Sequence, residues 1–337
     1  MFKKLSKQEY KDLFNTALFS TFFHAPEWQD FLEKEFKWLK FEHYLYKPAR
    51  RGGGDEFLLS FGRVGNKLIS LPFCEYGGPL PLKDNIDFRN FEKDVLKEFK
   101  NIKIKFHPKI LDYFNISNKR SDQTSEAIKH QTLTHWIENL KNISEQELLS
   151  SFRKTSRHEI IHAQESGLEI KKCENLKELK RFYNLYTANL KRKKTVPYPF
   201  PVIKFLYEQP DTEILLALIG NKIIAGSLFL NYSGFVHYFL NASDYKYRNF
   251  GVNYLIIWEK LKDLIGKNVI FDFGASPRGS NLEIFKRGWG GKEYPILQIG
   301  IKRTEEGLRS SKLRNIWGLL PNWLIKKLSP KLIKYRL

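Results

Sequence analysis

Apolar side chains recur at helical spacing at Trp28, Phe31, Leu32 and Phe36, just after Pro26. Proline costs nothing in a first helical turn, so the pattern predicts a helix from about residue 26. Phe41–Tyr46 reads as extended, Arg50–Asp55 as a glycine-bearing loop, and Glu56–Arg63 and Lys67–Phe73 as strands joined through Gly65-Asn66. Residues 86–100 return to helical spacing. Lys103–Phe106 is a short strand, 117–131 a polar loop and Thr132–Glu138 a further strand.

The second half opens with Ser144 followed by Glu147, the pattern of a capping box, and predicts a helix to about Ser166 that Gly167 stops. A strand at Leu168–Lys172, a helix from Asn175 to about Leu190, a basic loop and a short helix at 202–208 follow. Glu213–Ile219 and Ile223–Tyr232 form a hairpin about Gly220-Asn221, and Phe235–Ala242 continues the sheet. A helix at 251–265, a buried strand at Val269–Phe273, a helix at Asn281–Arg287 and a strand at Tyr294–Ile301 complete the order. Both halves run helix, hairpin, helix, strand. The expected fold is α/β (α+β), with residues 1–140 and 141–301 as tandem domains, each a mixed, mostly antiparallel sheet flanked by helices. Residues 302–337 form a basic helical tail.

A chain of 337 residues is long for one core, which agrees with two domains. Apolar residues make up 42% and aromatics 15%, enough to exclude global disorder. Cys74 and Cys173 are the only cysteines, so neither a disulfide framework nor a Cys/His metal site is expected. Met1–Phe19 has no apolar core of a signal peptide, and no stretch approaches the roughly 20 apolar residues of a spanning helix. A cytoplasmic, soluble or peripheral protein is expected. Net charge is +20, with ten Lys/Arg against two Glu in 301–337, and seven Lys/Arg with no acid in 179–207. Such a balance favours acidic partners: nucleic acid, nucleotide-bearing substrates or anionic lipid.

The order of elements from 213 to 301 resembles the acyl-binding half of the GNAT fold. In that family a strand-to-helix loop holds a pyrophosphate on backbone N–H groups. Here the loop reads Arg248-Asn249-Phe250-Gly251-Val252-Asn253, with Asn253 where the family has a small residue. Further segments are similar to the Fem-type peptidyltransferases, which carry two GNAT-like domains in one chain. They are Ala25-Pro26-Glu27-Trp28, Ser70-Leu71-Pro72-Phe73 with Gly77-Gly78-Pro79-Leu80, the basic run Ser151–Leu168, and Phe271-Asp272-Phe273-Gly274-Ala275-Ser276 with Phe285-Lys286-Arg287-Gly288-Trp289-Gly290.

The resemblance implies that Phe285 and Lys286 sit at the acyl-transfer centre. A lysine there can offset the charge developing on an acyl carbonyl or leaving oxygen, and Gly288 and Gly290 would let substrate approach. Asp272 can orient an amine or accept a proton, or simply cap the next turn, with Gly274 and Ser276 beside it. Arg153 and Arg157 can contact phosphate or form a solvated basic face, and Arg248, Gly251 and Asn253 belong to the donor loop. His158 and His162 have metal-compatible spacing but no third ligand nearby, so no metal is expected. The tail mixes Trp317, Leu320, Trp323, Leu324 and Leu328 with Arg314, Lys326 and Lys327, which suits either an interfacial membrane helix or one packed on its own domain.

No Ser-His-Asp or Cys-His arrangement argues for a covalent intermediate. The expected function is an amide-forming acyl or aminoacyl transfer to an amine of a cell-envelope precursor, peptidoglycan or surface polysaccharide, acidic or lipid-linked. The donor would be aminoacyl-tRNA, acyl-CoA or acyl-carrier protein, with no permanently bound cofactor. Two alternatives stay open: an acyl-CoA-dependent N-acetyltransferase on a small molecule or sugar, and a non-catalytic basic nucleic-acid-binding or scaffold protein.

Overall fold

The computed structural model describes residues 1–48, 56–83, 91–113, 132–300 and 316–337. The expectations for 50–55, 86–90, 117–131 and 302–315 lie outside these residues. Two compact units emerge: residues up to 133 with 294–300, and residues 134–293 with the C-terminal segment.

In the first unit, β1 (Phe2–Leu5), β2 (Leu39–Tyr46), β3 (Phe57–Val64), β4 (Lys67–Ser70) and β6 (Ile102–Lys105) form one sheet. The short β5 (Leu80–Pro81) pairs with β3. β2 lies antiparallel on β3 from Leu39↔Val64 to Tyr46↔Phe57, the register that keeps Leu39, Phe41 and Leu45 buried. Helices α1 (Lys7–Phe14), α2 (Pro26–Glu35), α3 (Phe91–Glu98) and α4 (Pro108–Tyr113) accompany the sheet. Pro26 opens α2 as expected, with Trp28 and Leu32 on its buried face. Tyr46, Phe57, Phe61, Phe91 and Phe106 belong to the core of this unit.

The second sheet runs β13 (Ser276–Pro277), β7 (Thr132–Ile137), β12 (Ile270–Asp272), β11 (Phe235–Ser243), β10 (Lys222–Tyr232), β9 (Thr212–Ile219), β8 (Glu169–Lys172). β14 (Lys292–Pro295) also pairs with β7. β9, β10 and β11 form the expected antiparallel meander, and β12 joins β11 in parallel. The helices are α5 (Glu145–Ser151), α6 (Lys154–Glu165), α7 (Leu176–Arg192), α8 (Phe200–Tyr207), α9 (Val252–Leu264) and α10 (Asn281–Arg287). α9 is apolar over most of its circumference, with Leu255, Ile256, Ile257, Trp258 and Leu261 all buried.

Three details differ from the sequence reading, and the C-terminal helix takes one of the two arrangements left open for it. β7 hydrogen-bonds to β12, so residues 134–140 belong to the second unit. The last predicted strand is two: β14 on β7, and β15 (Gln298–Gly300), which pairs with β6 of the first sheet. The helix opened by the Ser144 capping box stops at Ser151, because Phe152 and Arg153 turn extended. Phe152 drops into the core against Trp258 and Trp289, which continued helix would forbid. Finally, helix Asn322–Leu332 packs on α7 and buries Ile325, while Trp317 Nε1 donates to the Thr195 carbonyl at 3.3 Å.

Two histidines make the first unit sensitive to acid. His24 Nδ1 accepts from the Thr21 backbone N–H at 3.1 Å, and its Nε2 lies 3.3 Å from the Gly78 carbonyl, so the neutral ring fits both partners. His43 stacks on Tyr10. Burial pushes both rings down to about 4, against a smaller upward pull from Gly78 on His24 and with a further push from Lys7 on His43. The unfolded chain gains these protons near pH 6.5, the native chain only near 4. Stability present above the unfolded value is therefore lost as pH falls through this window, by up to about 1.4 kcal/mol per pH unit for each ring. Urea midpoints should drop between pH 7 and pH 5, and His43→Gln should flatten the drop; identical pH slopes in both proteins would contradict this account.

Candidate active site

The chemistry-bearing side chains of the second unit gather where β12 ends beside β7. Asp272, the last residue of β12, is fully buried. Its Oδ1 accepts from the Thr134 hydroxyl at 2.5 Å and from the Gly274 N–H at 2.8 Å, and its Oδ2 lies 2.7 Å from His237 Nδ1. Carboxylate acceptance assigns the proton on that ring nitrogen to His237. Asp272 thus ties β7, β11 and β12 together. These bonds hold the carboxylate inside the sheet, sealed from solvent.

Gly274 turns the chain with φ +73°, a conformation that favours glycine. The turn aims two carbonyls at Lys286 on α10. Lys286 Nζ donates to Gly274 O at 2.7 Å and to Ala275 O at 3.0 Å, and the side chain is only 4% exposed. Buried ammonium is expensive unless hydrogen-bonded, so these carbonyls fix where its charge sits. Ser276 is buried alongside, and no hydrogen bond reaches its hydroxyl. Lys286, Gly274 and Ser276 therefore lie in one neighbourhood.

Phe285, next on the helix, points the other way. Its ring lies 5.0 Å from Tyr254 and 6.2 Å from Trp289, and it packs against the main core. Gly288 and Gly290 are small for the chain's own sake. A Cβ on Gly288 would stand 2.6 Å from Ser156 Oγ, and one on Gly290 3.0 Å from the Ser151 carbonyl. Arg153 N–H donates to the Gly288 carbonyl at 2.9 Å, closing the junction of α6 with α10. Arg157 donates from Nη1 to the Ser150 and Phe152 carbonyls, capping the end of α5. Arg153 keeps its side chain exposed, whereas Arg157 is half-buried.

The Arg248–Asn253 loop leads into the start of α9. Gly251 adopts φ +61°, and a Cβ there would lie 2.7 Å from the Glu159 carbonyl and 3.3 Å from its carboxylate. Asn253 Oδ1 accepts from Asn241 at 3.0 Å. Nearby, the exposed Tyr245 ring is flanked by Arg248 at 4.4 Å and Arg192 at 4.5 Å, two cations over one aromatic face system.

Sequence reasoning missed three more groups. His135 on β7, Glu283 on α10 and Glu293 on β14 converge, with His135 Nε2 3.7 Å from Glu283 Oε1 and 3.6 Å from Glu293 Oε1. Burial lowers the affinity of His135 for a proton, an effect that the two carboxylates oppose and Lys286 reinforces. A histidine inside the apolar run Leu133–Ile137 is the one signal that pointed here. No local spacing links it to the two glutamates.

Residues 150–287 match the family model described as acetyltransferase (GNAT) domain, a stretch that ends one residue after Lys286. Over this stretch the chain resembles the GNAT acyltransferases. The chain also has the fold of FemX, with a TM-score of 0.58, 14% identity, and 89% of this chain and 97% of that one covered. L-PGS from Bacillus licheniformis is similar over 94% of this chain and 99% of its own, at TM-score 0.53 and 12% identity. A third likeness is the C-terminal domain of a putative lysylphosphatidylglycerol synthetase from Agrobacterium fabrum, at TM-score 0.55 and 12% identity, covering 87% of this chain and 92% of that one. No curated protein sequence matches the chain. The two mixed, mostly antiparallel sheets flanked by helices that the sequence predicts are present.

Removing the carboxylate at Asp272 leaves Thr134, Gly274 N–H and His237 without their common acceptor. Asp272→Ala should cost on the order of 3 kcal/mol or more, whereas Arg157→Ala, which loses a cap, should cost about 1 kcal/mol. Chemical unfolding of both variants checks the order; an Asp272→Ala protein as stable as the parent would remove Asp272 from its anchoring role.

Proposed function

We propose that the protein transfers an aminoacyl or acyl group onto an amine of an anionic cell-envelope precursor, working in the cytoplasm at the inner face of the membrane. The observation that carries the reading is Lys286: a buried ammonium, positioned by two carbonyls, at the end of the central sheet of a GNAT domain. A fixed cation in a dry site stabilises charge that develops on an acyl oxygen without reorganising at the moment of reaction. The acceptor amine attacks the donor ester or thioester directly, and the leaving oxygen or sulfur takes the proton released. The site's contribution is proximity and charge.

Among donors, aminoacyl-tRNA fits better than coenzyme A. The Glu159 carboxylate at the start of α9 opposes a pyrophosphate there, and the Asn253 side chain is engaged by Asn241. The Arg192–Tyr245–Arg248 stack offers cations and a ring face to a phosphate backbone and its bases. Lipid-linked acceptors would account for the exposed Leu319, Trp323 and Tyr335 beside Lys327 and Lys331 in the C-terminal segment. Among the described residues no helix is long and apolar enough to cross a membrane.

Mass spectrometry of envelope precursors from cells with and without the protein tests the reaction: a missing aminoacyl or acyl mass supports it, and identical precursor profiles oppose it. With the acceptor in hand, Lys286→Met should lower kcat by about 10²–10³ with KM nearly unchanged. Full turnover in that variant would move the centre away from Lys286. Trp323→Ser with Leu319→Ser should weaken binding to anionic vesicles; equal binding would remove only the membrane part of the reading.

A further inference from the structure

We infer that His135, Glu283 and Glu293 form a binding site for one divalent transition-metal ion. His135 is 1% exposed, and no hydrogen bond reaches either of its ring nitrogens. Buried polar groups of this kind are rare and call for a physical reason. Nε2 faces two carboxylate oxygens, Glu283 Oε1 at 3.7 Å and Glu293 Oε1 at 3.6 Å. Both separations exceed hydrogen-bond distance, yet the three atoms lie within 4.8 Å of one another. Two ligands of one ion with bonds of about 2.1 Å sit roughly 3 to 4 Å apart, and both nitrogen–oxygen pairs fall in that range. If Nδ1 bears the proton of the neutral ring, the Nε2 lone pair points at two anions, an arrangement that a cation between them relieves.

The surroundings suit an ion. Glu283 is held at its position by the Gly279 N–H on Oε2 at 3.3 Å, leaving Oε1 turned toward His135. Arg287 approaches that same Oε1 only at 3.5 Å and is 43% exposed, so it can withdraw into water. Lys286, the other cation nearby, spends its charge on the Gly274 and Ala275 carbonyls. Glu293 is 40% exposed while the other two ligands are sealed. The site is therefore closed on the protein side and open on one side, the arrangement of an ion that keeps water or substrate positions. One imidazole with two carboxylates and no thiolate selects a first-row ion such as Mn²⁺, Fe²⁺ or Zn²⁺. His135 and Glu293 lie outside the stretch matched by the GNAT domain, so the site is an addition of this chain around it.

Mn²⁺ is the probe, because Cys74, Cys173 and the exposed His158 and His162 would compete for Zn²⁺. The full chain, stripped with chelator and dialysed, is titrated with Mn²⁺ while electron paramagnetic resonance reports free ion. The expected result is saturation at one equivalent, a melting temperature raised by the ion, and at least a tenfold weaker affinity in Glu293→Gln. His135→Asn should lose the ion as well. Glu293→Gln changes a partly exposed group and keeps the readout available if His135→Asn fails to fold. Absence of saturable binding up to millimolar Mn²⁺, or wild-type affinity in Glu293→Gln, would overturn the site. Binding is read without substrate, so the result is independent of the transferase reading.

Discussion

The acceptor oxygens of Asp272 decide what the end of the second sheet looks like. One carboxylate receives the Thr134 hydroxyl from β7, lies against His237 of β11, and receives the Gly274 N–H from the turn that follows its own strand. In a low-dielectric interior these interactions are strong, and leaving any of the groups unpaired is costly. The carboxylate therefore sets the separation of the strands and the pitch of the Gly274 turn together. That turn aims the Gly274 and Ala275 carbonyls, and the carbonyls hold Lys286. The Asp272 carboxylate thus determines where the buried cation Lys286 stands.

Aromatic packing supplies the complementary constraint. Phe152 leaves the helical path to meet Trp258 and Trp289, while Trp289 also stacks on Tyr254 and sits 5.9 Å from Phe273. This cluster locks α5, α9, α10 and the end of β12 as one body. The glycines follow from it. Gly288 and Gly290 have no side chain because Ser156 and the Ser151 carbonyl already occupy the space, and Gly251 has none because α6 passes there. Local sequence makes these glycines look like openings for a ligand. In the folded chain they are also points of close approach to Ser156, Ser151 and Glu159.

Sequence patterns recovered what is local. The Ser144 capping box, the β9–β10 turn at Gly220, the Pro26 start and the α9–β12–α10 order all depend on neighbours a few positions apart. What depended on distant partners was hidden. Nothing near Phe152 announces that a tryptophan more than a hundred residues onward will pull it out of a helix. The partner of β7 is likewise invisible, so residues 134–140 were assigned to the wrong side of the domain boundary. For the candidate site, Lys286, Gly274 and Ser276 were legible because they lie in one short stretch with a recognisable motif. His135, Glu283 and Glu293 were not, since only the pairing of β14 with β7 and the placement of α10 bring them together.

Charge explains why these two groups of residues differ in chemical reach. The chain carries +20 overall, yet its candidate site is not simply basic. Lys286 and Arg287 share α10 with Glu283, which pairs with Arg287, and Glu293 on β14 lies beside His135. Local compensation of this kind lets a cation be buried without a net field that would trap an anionic product. The surplus positive charge lies elsewhere, in the Lys191–Lys194 run, in Arg248 and in the exposed lysines of the C-terminal helix. Exposed charge acts over about 8 Å at physiological salt and mainly raises the rate of encounter with a polyanion. In the proposed function, capture of an acidic partner and stabilisation of the reacting oxygen fall to separate cations. Under the proposed function, loss of surface lysines would change association and its salt dependence, and loss of the buried ammonium the chemical step.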